Sequence, residues 1–204
     1  MIKNTFLILI LLGFSSLNAQ EVFLKAGKNN TIYDFSSPNS NAEIAYRSGS
    51  GNFYEIGCAF DLNINHLAYA VSITYNQFNA AATYQDNNYT WATNYIGIQN
   101  SLSYKLYESN NIKASIVGGV NTATLSSGEQ FINTSYFDIT DNEEFAGIIL
   151  QPLLGATITY LVSEKLSLSL GYNYSKAFNI SNRTDEKTIF NTSQLQLGIY
   201  IPIN

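Results

Sequence analysis

A strict alternation of apolar and polar side chains in Lys165–Phe178, KLSLSLGYNYSKAF, constrains the fold of this chain more than any other feature. Leucines and then tyrosines occupy every second position, and serine, glycine and asparagine alternate with them. A period of two places successive side chains on opposite faces of a β-strand. A soluble barrel would turn the leucines inward, whereas a membrane barrel would turn them toward lipid. The rest of the chain decides between these two orientations.

Seven further segments show the same alternation, so the sequence predicts eight strands in an all-β, antiparallel, up-and-down barrel. The apolar faces of these segments carry no charge, as in Leu195, Leu197 and Ile199 of the last one. The eight predicted segments are 22–29, 53–62, 67–78, 91–107, 112–121, 146–162, 165–178 and 192–203.

The polar faces hold few charges, and this observation favours the membrane orientation. Small and uncharged polar side chains dominate these faces. Such a composition is unsuited to a water-facing exterior, but it suits the narrow lumen of an eight-stranded barrel, which is only wide enough for its own side chains. We therefore expect the leucines of the opening segment to face lipid and the serines to face the lumen. The charged residues on the polar faces are Lys25, Glu55, Asp61, Lys105 and Lys113.

The lengths of the connections independently support a transmembrane β-barrel. Short connections, NINH, ESNN and SEK, alternate with long ones at 30–52, 79–90, 122–145 and 179–191. Outer-membrane barrels have short periplasmic turns and longer extracellular loops. An even number of strands returns the chain to its starting side, so both termini are expected in the periplasm. A secreted soluble ligand-binding barrel is the alternative.

The first nineteen residues have the features of a secretory signal peptide. Lys3 precedes a run of ten apolar residues, too few for a membrane-spanning helix, and SSLNA offers a cleavage site after Ala19. We expect 20–204 to be the single barrel domain. That part has fifteen acidic and nine basic residues, a net charge of −6, which argues against nucleic acid as a partner. Cys58 is the one cysteine and is expected to be a small apolar strand residue.

The leader, the eight alternating segments, SLGYNYS in the seventh and LQLGIYIPI in the eighth together resemble the small eight-stranded outer-membrane β-barrel proteins of Gram-negative bacteria, with an OmpA- or OmpX-like barrel. The resemblance implies location in the outer membrane, contact with its lipid and lipopolysaccharide, and recognition of the last strand by the insertion machinery. Gln196, Gly198, Ile201 and Ile203 match that terminal signal, although such barrels commonly end in an aromatic residue. We expect a monomer without a peptidoglycan-binding domain.

Three polar features are candidate functional sites: charged residues on the lumen face, the single histidine and an acidic external run. Lys25 and Asp61 are expected to face the lumen near its periplasmic end, with Glu55 further toward the outside. The two residues are expected to form an ion pair there, and the alternative is that each is solvated separately. His66, the single histidine, lies in the predicted periplasmic turn NINH. Barrel acyltransferases use histidine near the external end, so His66 is interpreted as a turn residue.

The external connections are strongly acidic, with ten acidic against three basic residues. The densest run is DITDNEE, Asp138 to Glu144, whose spacing does not fit an EF-hand. We interpret it as a solvated loop, with weak Ca²⁺ bridging to lipopolysaccharide phosphates as the alternative. We expect no catalytic, cofactor or metal site. The leading hypothesis is a non-enzymatic surface barrel acting in envelope integrity or adhesion, and the main alternative is a narrow pore or small-molecule conduit.

Overall fold

The computed structural model describes residues 21–36, 45–62, 66–84, 86–142, 145–181 and 187–203. The expected signal peptide, 1–19, lies outside the described residues, as do Glu143 and Glu144 of the acidic run. The strands are β1 (Glu21–Ser36), β2 (Ala45–Asp61), β3 (Leu67–Tyr84), β4 (Asn87–Glu108), β5 (Ile112–Ile132), β6 (Ser135–Asp138), β7 (Ile148–Ser163), β8 (Leu166–Asn179) and β9 (Lys187–Pro202).

Eight of these strands form a closed antiparallel barrel, which confirms the predicted fold class. The neighbours run in the order β4-β3-β2-β1-β9-β8-β7-β5, and pairing of β4 with β5 closes the ring. The first and last strands pair along their whole lengths, from Glu21 opposite Pro202 to Ser36 opposite Lys187. The remaining strand, β6, lies outside the ring and pairs only with the end of β5.

The orientation of the side chains follows the alternation in the sequence. On β8, Leu168 and Leu170 are about half exposed, whereas Ser167 and Ser169 are buried. Every second side chain of the barrel wall therefore forms an outer apolar belt, and the polar ones fill the lumen. Phe60 departs from this pattern, because it is buried and its ring stacks on that of Tyr69. An apolar belt with a polar interior is the transmembrane arrangement and not that of a soluble ligand-binding barrel.

Tyrosines mark the outer edge of the apolar belt. The rings of Tyr54 and Tyr75 lie 6.1 Å apart, and the Tyr75 hydroxyl donates to Asn94. The Tyr172 hydroxyl hydrogen-bonds Ser193 in the same way. Rings with a polar tip prefer the level of the headgroups, so these residues form the predicted aromatic girdle. Among the described residues, no helix has the length and apolar character needed to cross a bilayer.

The strands are much longer than the sequence indicated on the extracellular side. β4 has 22 residues, whereas about 9–11 tilted residues cross a bilayer. The predicted long connection at 79–90 is wrong: β3 continues to Tyr84, and β4 begins at Asn87. Likewise, β5 extends through much of the predicted connection at 122–145 and forms a hairpin with β6. Paired strands therefore project well beyond the apolar belt.

Candidate functional site in the barrel lumen

The periplasmic end of the lumen is an open vestibule of about 690 Å³. Charged side chains stand around its mouth, including Glu21, Asp61, Lys105 and Lys113. Its walls carry small hydroxyl side chains such as Ser103, Ser115 and Thr157. Water and small solutes can therefore enter the barrel from the periplasm.

A buried ion pair lies at the inner end of the vestibule. Lys25 Nζ is 3.1 Å from Glu55 Oε2, because the two residues are direct cross-strand partners on β1 and β2. The expected pairing of Lys25 with Asp61 is wrong, since this register places Lys25 opposite Glu55 while Asp61 lies at the vestibule mouth. Ser72 and Gln99 also donate to Glu55 Oε1, over 2.6 and 3.1 Å. The carboxylate is thus neutralised and held by three side chains.

Two aromatic rings shield the cation of this pair. Lys25 Nζ lies 4.4 Å from the centroid of the Phe23 ring and 6.0 Å from that of Tyr200. The space here is tight: a Cβ added at Gly57 would collide with the backbone oxygen of Val71 and would lie 2.7 Å from Phe23 Cζ, so glycine is required. The lumen is therefore narrow at this level.

A layer of amide and hydroxyl side chains fills the middle of the barrel. Gln194 donates to Asn29, and Asn29 donates to Asn76, over 2.9 and 3.2 Å. On the other side, Asn121 donates to Gln151, which donates to Ser175, over 3.0 and 2.8 Å. These side chains are all buried. These chains of hydrogen bonds pair the named side chains across the lumen. Beside them, Asn173 Oδ1 and Gln196 Oε1 are buried without a hydrogen-bond partner among the described residues.

An aromatic core fills the lumen at and above the outer edge of the apolar belt. Tyr33 packs edge-on against Phe190, whose ring stacks on Phe78 at 5.5 Å. The Tyr33 hydroxyl donates to the Phe78 carbonyl and shares a hydrogen bond with Thr93. Ring contacts also join Tyr33 to Trp91 and Phe145, and Phe78 to Tyr95. The aromatic core consists of Tyr33, Phe78, Trp91, Tyr95, Ile139, Phe145, Ile149 and Phe190, with alanines between them.

The extracellular hairpin of β5 and β6 presents an exposed surface of aromatic and acidic side chains. Phe131 and Tyr136 are cross-strand partners whose rings meet edge-on at 5.5 Å. Glu129 and Asp138 oppose each other in the same ladder. Hydrogen bonds from the Thr140 hydroxyl and backbone N–H lower the pKa of Asp138, and partial desolvation, together with these two carboxylates, raises the pKa of Tyr136. The hairpin is therefore negatively charged at neutral pH.

The remaining candidates from the sequence are placed as follows. His66 is a turn residue with a φ of 69°, and its ring packs edge-on against Tyr104 at the periplasmic end. Cys58 is a half-buried free thiol on the outer face of β2. Within the described ranges, no group of three or more His, Cys, Asp or Glu side chains could hold a metal ion.

The closed ring of eight strands, its apolar exterior and its polar lumen decide the class of protein. This chain is an eight-stranded outer-membrane β-barrel. It matches no protein-family model and no curated protein sequence. Among solved structures it is similar to Neisserial surface protein A, with 16% identity, a TM-score of 0.51, and coverage of 89% of this chain and 97% of that one.

Two further outer-membrane barrels are similar in structure. The barrel aligns with outer membrane protein OprG from Pseudomonas aeruginosa at 11% identity and a TM-score of 0.49, over 92% of this chain and 98% of that one. It aligns with the outer membrane protease OmpT from Escherichia coli at 6% identity and a TM-score of 0.48, over 92% of this chain and 98% of that one.

Sequence reasoning missed the aromatic core, although one signal for it was present. Several large aromatic residues lie in or beside the predicted membrane segments, in phase with the polar, lumen-facing positions of their own strands. They are Phe78, Trp91, Tyr95 and Phe190. Large rings on the polar face of a strand cannot fit a lumen of small side chains, so they indicate a place where the barrel has a packed interior. The alternation along each strand is visible in the sequence. Contacts between rings of different strands could be predicted only from the cross-strand register.

Proposed function

We propose that the barrel is a non-conducting and non-enzymatic protein of the outer-membrane surface, and that its acidic extracellular end acts in envelope integrity or surface interaction. The observation that carries this proposal is the aromatic core, which fills the lumen between the periplasmic vestibule and the outside. A barrel filled in this way offers extracellular molecules its outer surface and not a path through its interior.

The absence of conduction is supported by the three successive layers in the lumen. An ion entering the vestibule meets the Lys25–Glu55 pair, then the amide layer, and then the aromatic core. Each layer would have to open before ions could cross. A narrow pore remains the competing function, and the vestibule is the feature of the barrel that a conduit would use.

A non-enzymatic role is supported by the position of the one histidine. OmpT is a protease with a comparable barrel, so the fold by itself does not distinguish an enzyme from a surface protein. His66 lies in a periplasmic turn, packed against Tyr104 and near Glu108. A histidine at that end faces neither extracellular substrates nor the outer leaflet.

The proposed partners of the barrel follow from its two kinds of surface. The apolar belt would contact outer-membrane lipid, and the tyrosine girdle would lie at the headgroup level. The Glu129–Asp138 face carries two opposed carboxylates, which divalent cations could bridge to lipopolysaccharide phosphates. During assembly the terminal strand β9 would be recognised by the insertion machinery. No nucleic-acid partner is proposed for so acidic a protein.

Conduction is tested with the purified barrel in planar lipid bilayers. We expect no stable conductance steps at moderate voltage. Conductance of porin size would refute the closed lumen and favour the pore. The Phe190→Ala variant provides the matched comparison, because it removes a ring from the centre of the aromatic core while leaving the apolar belt unchanged.

The surface role is tested in cells that lack the gene. We expect complementation by the normal barrel to restore resistance to detergent with chelator, and the Glu129→Gln/Asp138→Asn variant to restore it less well. Glu108→Gln, which removes an exposed carboxylate at the periplasmic end, is the control and should complement fully. Full complementation by the hairpin variant would overturn the proposed role of the acidic end.

A further inference from the structure

The vestibule at the periplasmic end of the lumen is lined mainly by uncharged polar groups. Hydroxyl side chains such as Ser115, Thr157 and Thr159 face it from β5 and β7. Asn173 and Gln196 are the lining residues furthest from the periplasmic ends of β8 and β9, so their amides mark its inner end. Its volume of about 690 Å³ lies within the range of small-molecule pockets, about 300–1,000 Å³. The vestibule is therefore large enough to hold a small molecule.

Gln196 carries a buried carboxamide that the barrel itself does not use. The residue is only 4% exposed, yet its side chain makes no hydrogen bond to any other residue in the described ranges. Gln196 pairs with Gly171, which pairs with Thr157. A Cβ added at Gly171 would lie 2.7 Å from Gln196 Nε2 and 3.1 Å from Thr157 Oγ1, so both groups border the space over this glycine. Buried amides are normally hydrogen-bonded, so this one requires an explanation.

The second amide at the inner end is also incompletely bonded. Asn173 donates to Gln194, but Asn173 Oδ1 has no partner among the described residues. Asn173 Oδ1 and Gln196 Oε1 are both covered by neighbouring atoms, although the two side chains line the vestibule. The last torsion of a glutamine side chain has two broad minima, so a half turn brings the oxygen of Gln196 to the place of its nitrogen. The inner end therefore offers a donor and an acceptor to a molecule in the vestibule.

The lysines of the vestibule are each paired with a carboxylate. Lys25 lies 3.1 Å from Glu55, and Lys105 and Lys113 lie 2.7 and 3.7 Å from Glu108. An anionic ligand therefore meets no unpaired lysine among the described lining residues. The buried ammonium group of Lys25 in turn disfavours a second cation beside it. The charges of the vestibule thus favour an uncharged ligand.

We propose that the vestibule binds a small, uncharged, polyhydroxylated molecule from the periplasm, of up to disaccharide size. A hydroxyl group of such a molecule both donates and accepts, as do the serine and threonine hydroxyls of the walls, and a carboxamide offers one group of each kind. Hydroxyls of the ligand then hydrogen-bond Gln196 and Asn173 at the inner end and the hydroxyls along the walls. This site faces the periplasm, so it adds to the function proposed for the extracellular end and does not depend on it.

Binding is measured by NMR titration of the intact barrel in lipid nanodiscs, with sucrose as the probe. The side-chain amide signals report where the probe lies. We expect saturable shifts at Gln196 and Asn173 and none at Asn100, whose amide is on the lipid-facing side of β4 beside Tyr69. Inorganic phosphate and spermidine at the same concentrations should leave the signals of Gln196 and Asn173 unchanged, since neither is an uncharged polyhydroxylated molecule.

The Thr157→Val variant tests the contribution of the wall. It removes a hydroxyl that hydrogen-bonds no described residue and keeps nearly the same shape, so the barrel should assemble normally. The loss of one hydrogen bond to the ligand should weaken sucrose binding about fivefold. Thr122→Val makes the same change on the outer face of the neighbouring strand β5 and should bind sucrose as the original barrel does.

Four outcomes would overturn the inference. Unchanged signals of Gln196 and Asn173 would mean that water alone serves these amides. Shifts that do not saturate, or that are equally large at Asn100, would indicate an effect of sucrose on the solvent. Equal affinities of Thr157→Val and Thr122→Val would show that the wall does not contact the probe. A stronger response to phosphate or spermidine than to sucrose would show that the class of ligand is wrong.

Discussion

At the scale of single residues, the Glu55 carboxylate accepts hydrogen bonds from side chains of three different strands, Lys25 on β1, Ser72 on β3 and Gln99 on β4. Burial makes the carboxylate dependent on these donors, because a charge removed from water is costly unless it is paired. This small cluster ties together one half of the barrel wall from inside.

Lys25→Met should destabilise the barrel by about 3 kcal/mol, because it leaves Glu55 as a buried charge without its cation. Urea unfolding in lipid vesicles, followed by tyrosine and tryptophan fluorescence, measures the loss. Lys105→Met is the control, since its pair with Glu108 is exposed and worth at most about 1 kcal/mol. Similar losses for the two variants would contradict a special role for the buried pair.

The hydrogen bonds that Asp138 accepts from Thr140 should be visible in its titration. Thr140→Val removes the hydroxyl donor, so the pKa of Asp138 should rise toward its usual range. Because the folded pKa is lowered, this hydrogen bonding stabilises the hairpin above the ordinary aspartate pKa and is lost as the pH falls through the folded value. NMR titration of the Asp138 carboxyl carbon measures it, and an unchanged pKa would refute the assignment. Thr122→Val, on the outer face of β5 and remote from Asp138, is the control.

At the scale of elements, the outer face of each strand changes character along its length. On β8 the outward series begins with Leu168 and Leu170, continues through Tyr172 and Tyr174, and reaches Lys176. The type of outward-facing side chain therefore changes with depth in the membrane. The effect of an introduced charge on stability should depend on its position along the strand.

Leu170→Arg should cost about 2–4 kcal/mol if Leu170 lies near the bilayer midplane, whereas a charge near the interface costs about 0–1 kcal/mol. Phe178→Arg, on the same face beyond Lys176, is the matched control. Refolding titrations into lipid vesicles give both values. Ser169→Thr should be nearly silent, and equal tolerance of Arg at positions 170 and 178 would refute the face and depth assignments.

Deleting Tyr200 to Asn204 should abolish insertion, because it removes the partners of Glu21, Val22 and Phe23 and leaves open backbone groups in lipid. Pro202 ends β9, as its missing N–H predicts, so the deletion removes paired strand. Protease resistance in membrane fractions is the measurement. Ile203→Phe should assemble normally, and a protease-resistant truncated barrel would contradict both the closure argument and the terminal signal.

The strands were predictable where one face meets lipid, and less so beyond it. At the level of Leu168 and Leu170, bilayer and lumen impose opposite requirements on the two faces, so the alternation is strong. At Asn79–Tyr84 the outer face meets water, so the difference in polarity between the two faces of the strand is smaller. The sequence of this part therefore predicted a loop where the structure has a strand. The partner of Lys25 could not be predicted in the same way, because it depends on the register between β1 and β2. That register depends on how many residues of the connection between them belong to the strands, which the alternation does not show.

At the scale of the whole molecule, two kinds of interior are stacked along one axis. The membrane part has its apolar surface outside and hydrogen bonds inside, whereas the aromatic core above it is packed as in a water-soluble protein. Closure of the ring by β1 with β9 serves both parts.

The intact barrel should be recovered with the outer-membrane fraction, and unheated samples should migrate differently from boiled ones in detergent gels. The closed ladder of β1 with β9 resists unfolding by detergent until heated, which is the physical reason. Recovery of the processed protein in the soluble periplasm would overturn the membrane assignment.

The projecting strands also have a practical consequence. The strands β3 and β4 stay paired up to Tyr84 and Asn87, and the aromatic core packs below this part of them. The tip of this hairpin is therefore well supported and lies above the level of the headgroups. A foreign peptide grafted between Tyr84 and Asn87 would be displayed above the cell surface, while the residues that insert the barrel are left untouched.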